Sequence, residues 1–484
     1  MKDRALQALD AALRPGSGVT FADVRIIESK DRALSTKNGR AGNASSSEDL
    51  GLGVRVIANG CWGFAATSDI TSTGIEAAAK LAIEIAHAGS LAKAKDVELA
   101  PEAAYTATWT SACEIDPFAV PVEAQFAHLL DIDRELRRNK GVTMAEGSMQ
   151  FNRSRQIYVS SVGSVIDQTR TVSGVGYAAH SFQNDEIQKR SYPTSFGGQF
   201  QQRGYELVRE LDLLLHAPRI AEEAVALHAA DQCPEGIHDL ILESSQLGLQ
   251  IHESIGHPIE LDRVLGSEAN YAGMSFLTLD QLDRLRYGSG IVNVVCDATE
   301  PHGPGLGTFA YDDEGVPAQC VDIIRDGQFR GYMTSRETAA AIGQARSNGT
   351  MRAANWDRLP LIRMTNVSLL PGRQSLAEVF DSNGIYMETN KSWSIDDKRY
   401  NFQFGCEIAW EIKSGRRGRM LKNPTYSGIS TEFWNACDAI AGSEHWTIWG
   451  IPNCGKGQPE QVMGTGHGAS PSRFRGIRIG GGYR

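Results

Sequence analysis

Three observations predict an α+β chain of two domains. Apolar residues alternate with polar ones in many runs, as in half-buried strands. Asn-Gly and Asp-Gly pairs separate several of these runs, as in hairpins. Helical periodicity is confined to a few stretches. Fifty glycines in 484 residues favour turns and strands over helical arrays. A hydrophobic fraction of 41% and a charged fraction of 22% supply a sizeable core, and at roughly 150 residues per domain the length suits two or three units.

The elements follow in order. Leu52, Val54 and Val56 alternate, Asn59-Gly60 follows, and Trp62, Phe64 and Ala66 alternate again. Asn-Gly supplies the positive φ angles of a type I′ turn, so this is a hairpin. A helix is expected from about Thr73, with Glu76 completing a capping box and Ile75, Ala79, Ala82, Ile85 and Ala86 as its apolar stripe. A second runs from about Pro121 to Asn139, with Val122, Phe126, Leu129, Leu130 and Leu136 inward and Gly141 as its stop. Short alternating runs from Val142 to Phe200 read as an antiparallel sheet. Helical pattern returns from Tyr205 to about Ala230, broken by Pro218.

Asp231 to Gly236 reads as a linker. It divides an N-terminal α+β domain over 1–231, helices packed on an antiparallel sheet, from a β-rich C-terminal domain over 232–484. In the second half, Cys320 to Arg325, Asp326-Gly327 and Gln328 to Met333 form another hairpin signal. Asn401 to Ile412 is the clearest strand: Phe402, Phe404, Cys406, Ile408, Trp410 and Ile412 share one face, Asn401, Gln403, Glu407 and Glu411 the other. The last 15 residues, with four arginines and a Gly-Gly-Gly, read as an exposed tail.

The net charge of −10 argues against a general binder of nucleic-acid backbones, which needs a basic face. Eight cysteines, none in a C-x-x-C pair, are too sparse for a disulfide scaffold and point to a reduced, cytoplasmic protein. The first residues lack the apolar stretch of a signal peptide, and no apolar run is long enough to span a membrane.

The chemistry concentrates in His252-Glu253-Ser254-Ile255-Gly256-His257, an H-E-x-x-x-H. In the commoner H-E-x-x-H the histidines are four apart and face one metal. Five apart on an α-helix, the rings diverge by about 140°. A π-turn, which closes i→i+5, brings them back to one side, so a widened turn is predicted between His252 and His257. Gly256 and Pro258 suit a helix distorted and ended there. Glu253 is then not a ligand but the base that takes a proton from water activated by the metal. Zinc brings the pKa of such water near 7.

A catalytic zinc takes three protein ligands and keeps one position open. Cys406 lies on the apolar strand face and reads as core. Cys454 sits in the turn-rich Ile451-Pro452-Asn453-Cys454-Gly455-Lys456-Gly457, where flexible neighbours can aim its sulfur and Lys456 adds positive potential. His467, in Gly464-Thr465-Gly466-His467-Gly468, competes with it; Cys454 is preferred. Gly51-Leu52-Gly53 precedes a strand and is no dinucleotide fingerprint. Asp312-Asp313-Glu314 reads as a solvated turn rather than a cation site. The basic cluster Lys413, Arg416, Arg417, Arg419 and Lys422 reads as crossing a hairpin turn, with a substrate carboxylate or an acidic partner as the alternative.

These residues carry a resemblance. Gly51-Leu52-Gly53-Val54-Arg55-Val56 with Gly63-Phe64-Ala65, the His252–His257 motif, the 305–315 stretch GLGTFAYDDEG, Arg363-Met364-Thr365-Asn366, Leu370-Pro371-Gly372 and Cys454-Gly455-Lys456-Gly457-Gln458 together resemble the TldD branch of the TldD/PmbA family, once called modulators of DNA gyrase. The resemblance implies a two-domain zinc metallopeptidase acting on unfolded or short peptides, with the metal near a dimer interface. It implies His252, His257 and Cys454 as ligands and Glu253 as general base. The partner it implies is a non-catalytic TldE/PmbA-like paralogue, with a homodimer as the alternative. No nucleic acid or membrane partner is expected. The Gly464–Gly468 stretch departs from the family pattern by carrying a histidine.

The leading expectation is therefore a cytoplasmic zinc peptidase that holds extended peptides by strand addition to a sheet edge. One rival is a non-hydrolytic modulator subunit whose metal, if present, is structural. The other is a dedicated amide hydrolase of small-molecule biosynthesis.

Overall fold

In the computed structural model, which describes residues 1–299 and 303–480, paired positive-φ residues mark the hairpins. Asn59 and Gly60 take φ of 50° and 71°, and Asp326 and Gly327 take 51° and 77°, as type I′ turns require. Ser414 and Gly415 make a third such turn at 48° and 75°, under the basic cluster.

The N-terminal sheet orders its strands Cys61–Thr67, Arg40–Ala58, Val19–Lys37, Met144–Ser160, Val165–Gln183 and Thr106–Thr110. Pairing is antiparallel apart from Thr106–Thr110, and two shorter strands, Glu186–Tyr192 and Gln199–Gln201, attach to Val165–Gln183. Where short runs were expected after Val142, the strands are 17 and 19 residues long. Each alternates over part of its length, but Gln156–Ser160 and Ser173–Tyr177 are buried on both faces, which breaks the alternation into short runs.

The helices take one face of this sheet. Lys2–Ala12 and Ser72–Ser90 bury Ala22, Val24, Ile26, Leu52, Val54 and Val56. Val122–Leu136 and Leu213–Ala226 bury Leu34, Met149, Phe151 and Tyr177 farther along the same strands. Several expectations shift locally. The helix expected from Thr73 starts at Ser72, with Thr71 capping the Gly74 N–H, so neither Thr73 nor Glu76 forms the cap. Ile85 is 42% exposed and Ala78 replaces it in the stripe. On Val122–Leu136 the innermost residues include Gln125, Ile132 and Asp133. Pro218 stays inside its helix: it sits on the exposed face, where the freed carbonyl meets water. The break comes at Asp212, with φ of 46°.

The opposite face meets the second half of the chain through charge. Arg55 pairs with Asp23 at 2.5 Å and Glu314 at 3.4 Å. Gln156 donates to Asp313 at 2.7 Å, and the Tyr158 hydroxyl donates to the Glu314 carbonyl at 3.0 Å. Asp312 accepts from the N–H groups of Glu314 and Val316, each at 2.9 Å. The Asp312–Glu314 turn is therefore buried, not solvated; its partners come from strands more than 150 residues away.

The second half holds two main sheets. In one, Gly384–Ile395, Gly236–Leu242, Ser472–Ile479, Thr425–Ile429 and Asn401–Lys413 pair in sequence, and the last pairs back to the first, closing a ring. Arg416–Lys422 and Asp231–Gln232 extend it from Asn401–Lys413. The expected linker thus enters this sheet at Asp231–Gln232, and Cys233 is buried. The expected tail is an interior strand over Ser472–Ile479 with Phe474 buried; part of the Gly-Gly-Gly lies outside the described residues. The basic cluster does flank a hairpin turn, but its charges are largely met within the chain: Arg417 by Glu388, Arg419 by Asp231 and Lys422 by Glu186. Cys406 is core. The other sheet runs Gln328–Phe329, Cys320–Arg325, Val294–Asp297, Asn366–Leu369, Gln461–Ala469 and Thr447–Lys456. Among the described residues no helix is long and apolar enough to cross a membrane.

Candidate metal centre

The helix Ser244–Ile251 lies between these two sheets and is buried on every side. Glu243 caps its start, accepting from the Ser245 N–H at 2.8 Å. At His252 the helix widens. The His257 N–H donates to the His252 carbonyl at 3.1 Å, an i→i+5 bond, and the π-turn spans His252–Gly256. The two rings stand with centroids 4.8 Å apart. Met364 packs so close that a Cβ on Gly256 would lie 2.1 Å from its sulfur, which explains the glycine.

Cys454 joins them from the edge strand Thr447–Lys456, not from an irregular loop. It faces Met463 in the ladder, next to a register shift between Ile451 and Cys454 that re-aims the chain. The ligand atoms of His252, His257 and Cys454 all lie within 4.8 Å of one another, and all three residues are buried. His257 Nε2 is 3.7 Å from Cys454 Sγ.

The surrounding bonds set the tautomers. His257 Nδ1 lies 3.0 Å from Glu260 Oε2, so it carries the proton and leaves the Nε2 lone pair toward Cys454. Burial pushes Glu260 up, but Lys456, His257 and Arg263 outweigh it and hold its carboxyl well below the usual range. His467 donates from Nδ1 to the Val367 carbonyl at 3.0 Å, so its Nε2 accepts from His252 Nδ1 at 2.8 Å. Thr465 Oγ1 lies 3.0 Å from the same Nε2. His467 thus orients His252, and both its ring nitrogens are engaged. This pattern, a ligand imidazole held through its other nitrogen, is how metal sites fix their histidines.

Electrostatics favour metal-ready protonation states. Burial lowers His252 to about 4 and lowers His257, so both rings are neutral near pH 7. Burial pushes the Cys454 thiol up, but the Arg363 guanidinium and the His257 ring outweigh it, and the net shift is downward. Arg363 also donates to the Cys454 carbonyl at 2.6 Å. Lys456, expected as a source of local positive potential, is fully buried and pairs with Asp262 at 2.7 Å and Glu260 at 3.4 Å. Glu253 is buried beside His252 and accepts from Arg399 Nη1 at 2.8 Å. Two imidazoles, a thiolate-prone sulfur and a supported second layer fit zinc.

Sequence reasoning did not single out Glu260 or Arg399 and named Arg363 only within a motif; His467, expected as the competing third ligand, is hydrogen-bonded through both ring nitrogens. Glu260 was findable, since it follows His257 by three residues; Arg399 had no local signal.

Comparison with known proteins places the chain. Residues 235–481 match the PmbA/TldA metallopeptidase C-terminal domain and residues 22–86 match domain 1 of the same metallopeptidases. The chain belongs to the TldD/PmbA metallopeptidase family. It is 27% identical over 469 residues to a metalloprotease of Methanocaldococcus jannaschii, covering 96% of this chain and 97% of that one. It is 29% identical over 208 residues to a zinc metalloprotease TldD homolog of Saccharolobus solfataricus, covering 43% of this chain and 44% of the relative. The fold matches a solved putative modulator of DNA gyrase from Thermotoga maritima with a TM-score of 0.76 at 14% identity, over 99% of this chain and all 100% of the other. It matches TldE from Thermococcus kodakarensis with a TM-score of 0.71 at 15% identity, over 98% of this chain and 100% of the other.

Proposed function

We propose that this chain is the catalytic subunit of a cytoplasmic zinc-dependent peptidase that hydrolyses unfolded or short peptides. His252, His257 and Cys454 hold the metal, and Glu253 is the general base. The observation that carries this reading is the convergence of three ligand atoms within 4.8 Å beside a buried carboxylate.

Bound zinc would supply Lewis-acid chemistry, polarising a peptide carbonyl and acidifying a coordinated water. The chain's own residues do the rest. Arg399 engages Glu253 Oε2, which orients the carboxylate and leaves Oε1 to accept a proton and return it to the leaving amine. Glu260 and His467 each hold one ligand ring in the tautomer that presents a lone pair. His252, Glu253, His257 and Cys454 are all buried, which limits bulk water around this chemistry. A fully closed four-ligand site would need His467 as a donor, and its engaged nitrogens count against that structural alternative.

In the assembly we propose, this chain pairs with a TldE/PmbA-like paralogue, and its two domains divide near residue 231. The shared fold with TldE supports such a pairing. Zinc analysis of purified protein, with Glu253→Gln assayed on an unstructured peptide, tests the reading. One zinc per chain and a crippled variant are expected; full activity in the variant would overturn the base assignment.

A further inference from the structure

A cavity of about 420 Å³ lies between the N-terminal sheet and the second half of the chain. Arg32 and Arg170 line it from the sheet, and Arg352, Met463 and Gly464 line it from the other side. Met463 stands opposite Cys454 in the ladder, and Gly464 precedes Thr465, which touches His252. The cavity and the metal ligands therefore share one hairpin as a wall.

Its charge is unusual for a chain of net charge −10. Arg352 is buried, and its Nη atoms donate only to carbonyls: Met364 at 2.6 Å, Gly464 at 2.9 Å and Leu306 at 3.1 Å. Its buried Nε has no hydrogen-bond partner. Among the described residues, neither Arg352 nor the half-buried Arg170 has a carboxylate at ion-pair distance. Burial, with Arg170 and Arg363 nearby, outweighs Asp313 and Cys454 and lowers Arg352 to about 9; Asp313 spends its oxygens on Gln156 and the Ala353 N–H. Arg32 spends its guanidinium on the carbonyls of Pro117, Phe118 and Val120 and on Gln125. Asp31 is the one acid among the lining residues, and it accepts from Asn152 at 2.8 Å.

A buried guanidinium with no carboxylate at ion-pair distance is costly, and its fork matches a carboxylate. We propose that this cavity binds a carboxylate of the peptide substrate, the C-terminal one or that of an acidic side chain. The choice of a peptide rests on the peptidase reading; the anion site itself rests on Arg352 and Arg170. Apolar lining from Phe151, Leu306 and Val462 suits the rest of a bound residue.

The test is equilibrium binding of labelled, unstructured heptapeptides to full-length Glu253→Gln protein, with and without zinc. Three peptides are compared: neutral with a free C-terminus, neutral and amidated, and amidated with one internal glutamate. We expect at least one carboxylate-bearing peptide to bind about tenfold more tightly than the neutral amidated one, zinc or no zinc. Which of the two does so names the source. Arg352→Gln and, should that variant misfold, Arg170→Gln should abolish the preference while sparing the neutral peptide. Equal affinities, a preference unchanged in both variants, or one that vanishes with the metal would overturn the proposal. So would binding of inorganic phosphate with no carboxylate preference. Because binding is read in a variant built not to turn over, failure of the peptidase reading shows separately, as intact binding with no hydrolysis by the unsubstituted chain.

Discussion

The His252–His257 turn and the Asp312–Glu314 turn are both buried clusters of titratable side chains, but their bonding capacity is spent differently. In the acidic turn the chain answers each carboxylate: Asp312 caps backbone N–H groups, Asp313 takes Gln156, and Glu314 takes Arg55. Nothing is left for a ligand, and the cluster joins the two halves. At the histidine turn, partners occupy the far nitrogen of each ring, Glu260 on one and His467 on the other, and leave the near lone pairs facing Cys454. Burial alone does not mark a site; unspent donor capacity does.

The sharpest way to break this contrast is at the base. Glu253→Gln should lower kcat/KM by about 10²–10⁴-fold with zinc content unchanged. Steady-state kinetics on an unstructured peptide, alongside metal analysis, checks it, and a fall below tenfold would remove Glu253 from the chemistry.

The acidic turn should respond in stability instead. Arg55→Met strands Asp23 and Glu314 without their cation, and breaking a buried pair costs about 3–5 kcal/mol. Denaturant unfolding should show that loss while zinc affinity stays put. A variant that kept its stability but lost zinc would reverse the roles of the two turns.

Next come the residues that orient the ligands. Glu260→Gln and His467→Ala should each weaken zinc binding by about 10–100-fold, as loss of a ligand's hydrogen-bond partner does. Competition with a chelator measures this. Affinity unchanged in both variants would mean the tautomer chain is idle.

The smallest effect is on pH. His252 in the metal-free fold sits at about 4 against an ordinary 6.5, so the unfolded chain binds its proton first as pH falls. This histidine therefore makes stability rise with pH between about 4 and 6.5, at about 1.4 kcal/mol per unit. Burial raises Asp312 well above its ordinary value, so that turn contributes with the opposite sign. Unfolding of metal-free protein across this window should show a shallower slope in His252→Asn than in the parent chain.

What the sequence could show divides along the same line. The histidine turn was legible because its constraint is local: five-residue spacing, Gly256 and Pro258 force a widened turn wherever both rings must share a side. The hairpins at Asn59-Gly60 and Asp326-Gly327 were legible for the same reason. Cys454 was singled out by its residue type but misplaced in a loop, because its strand carries a register shift that hides the alternation. Arg399 reaches Glu253 across 146 residues, and Asp312–Glu314 reads as a polar turn until strands from the other half fold onto it. The strand Ser472–Ile479 looked like a tail because its arginines, Arg473 and Arg475, find Asp438 only in the folded chain.

The most direct test is zinc X-ray absorption on the purified full-length chain. It should report one zinc bonded to two imidazole nitrogens at about 2.0–2.1 Å and one sulfur at about 2.3 Å, with the sulfur lost in Cys454→Ser. A zinc shell without sulfur, or a sulfur that persists in that variant, would contradict the three-ligand centre.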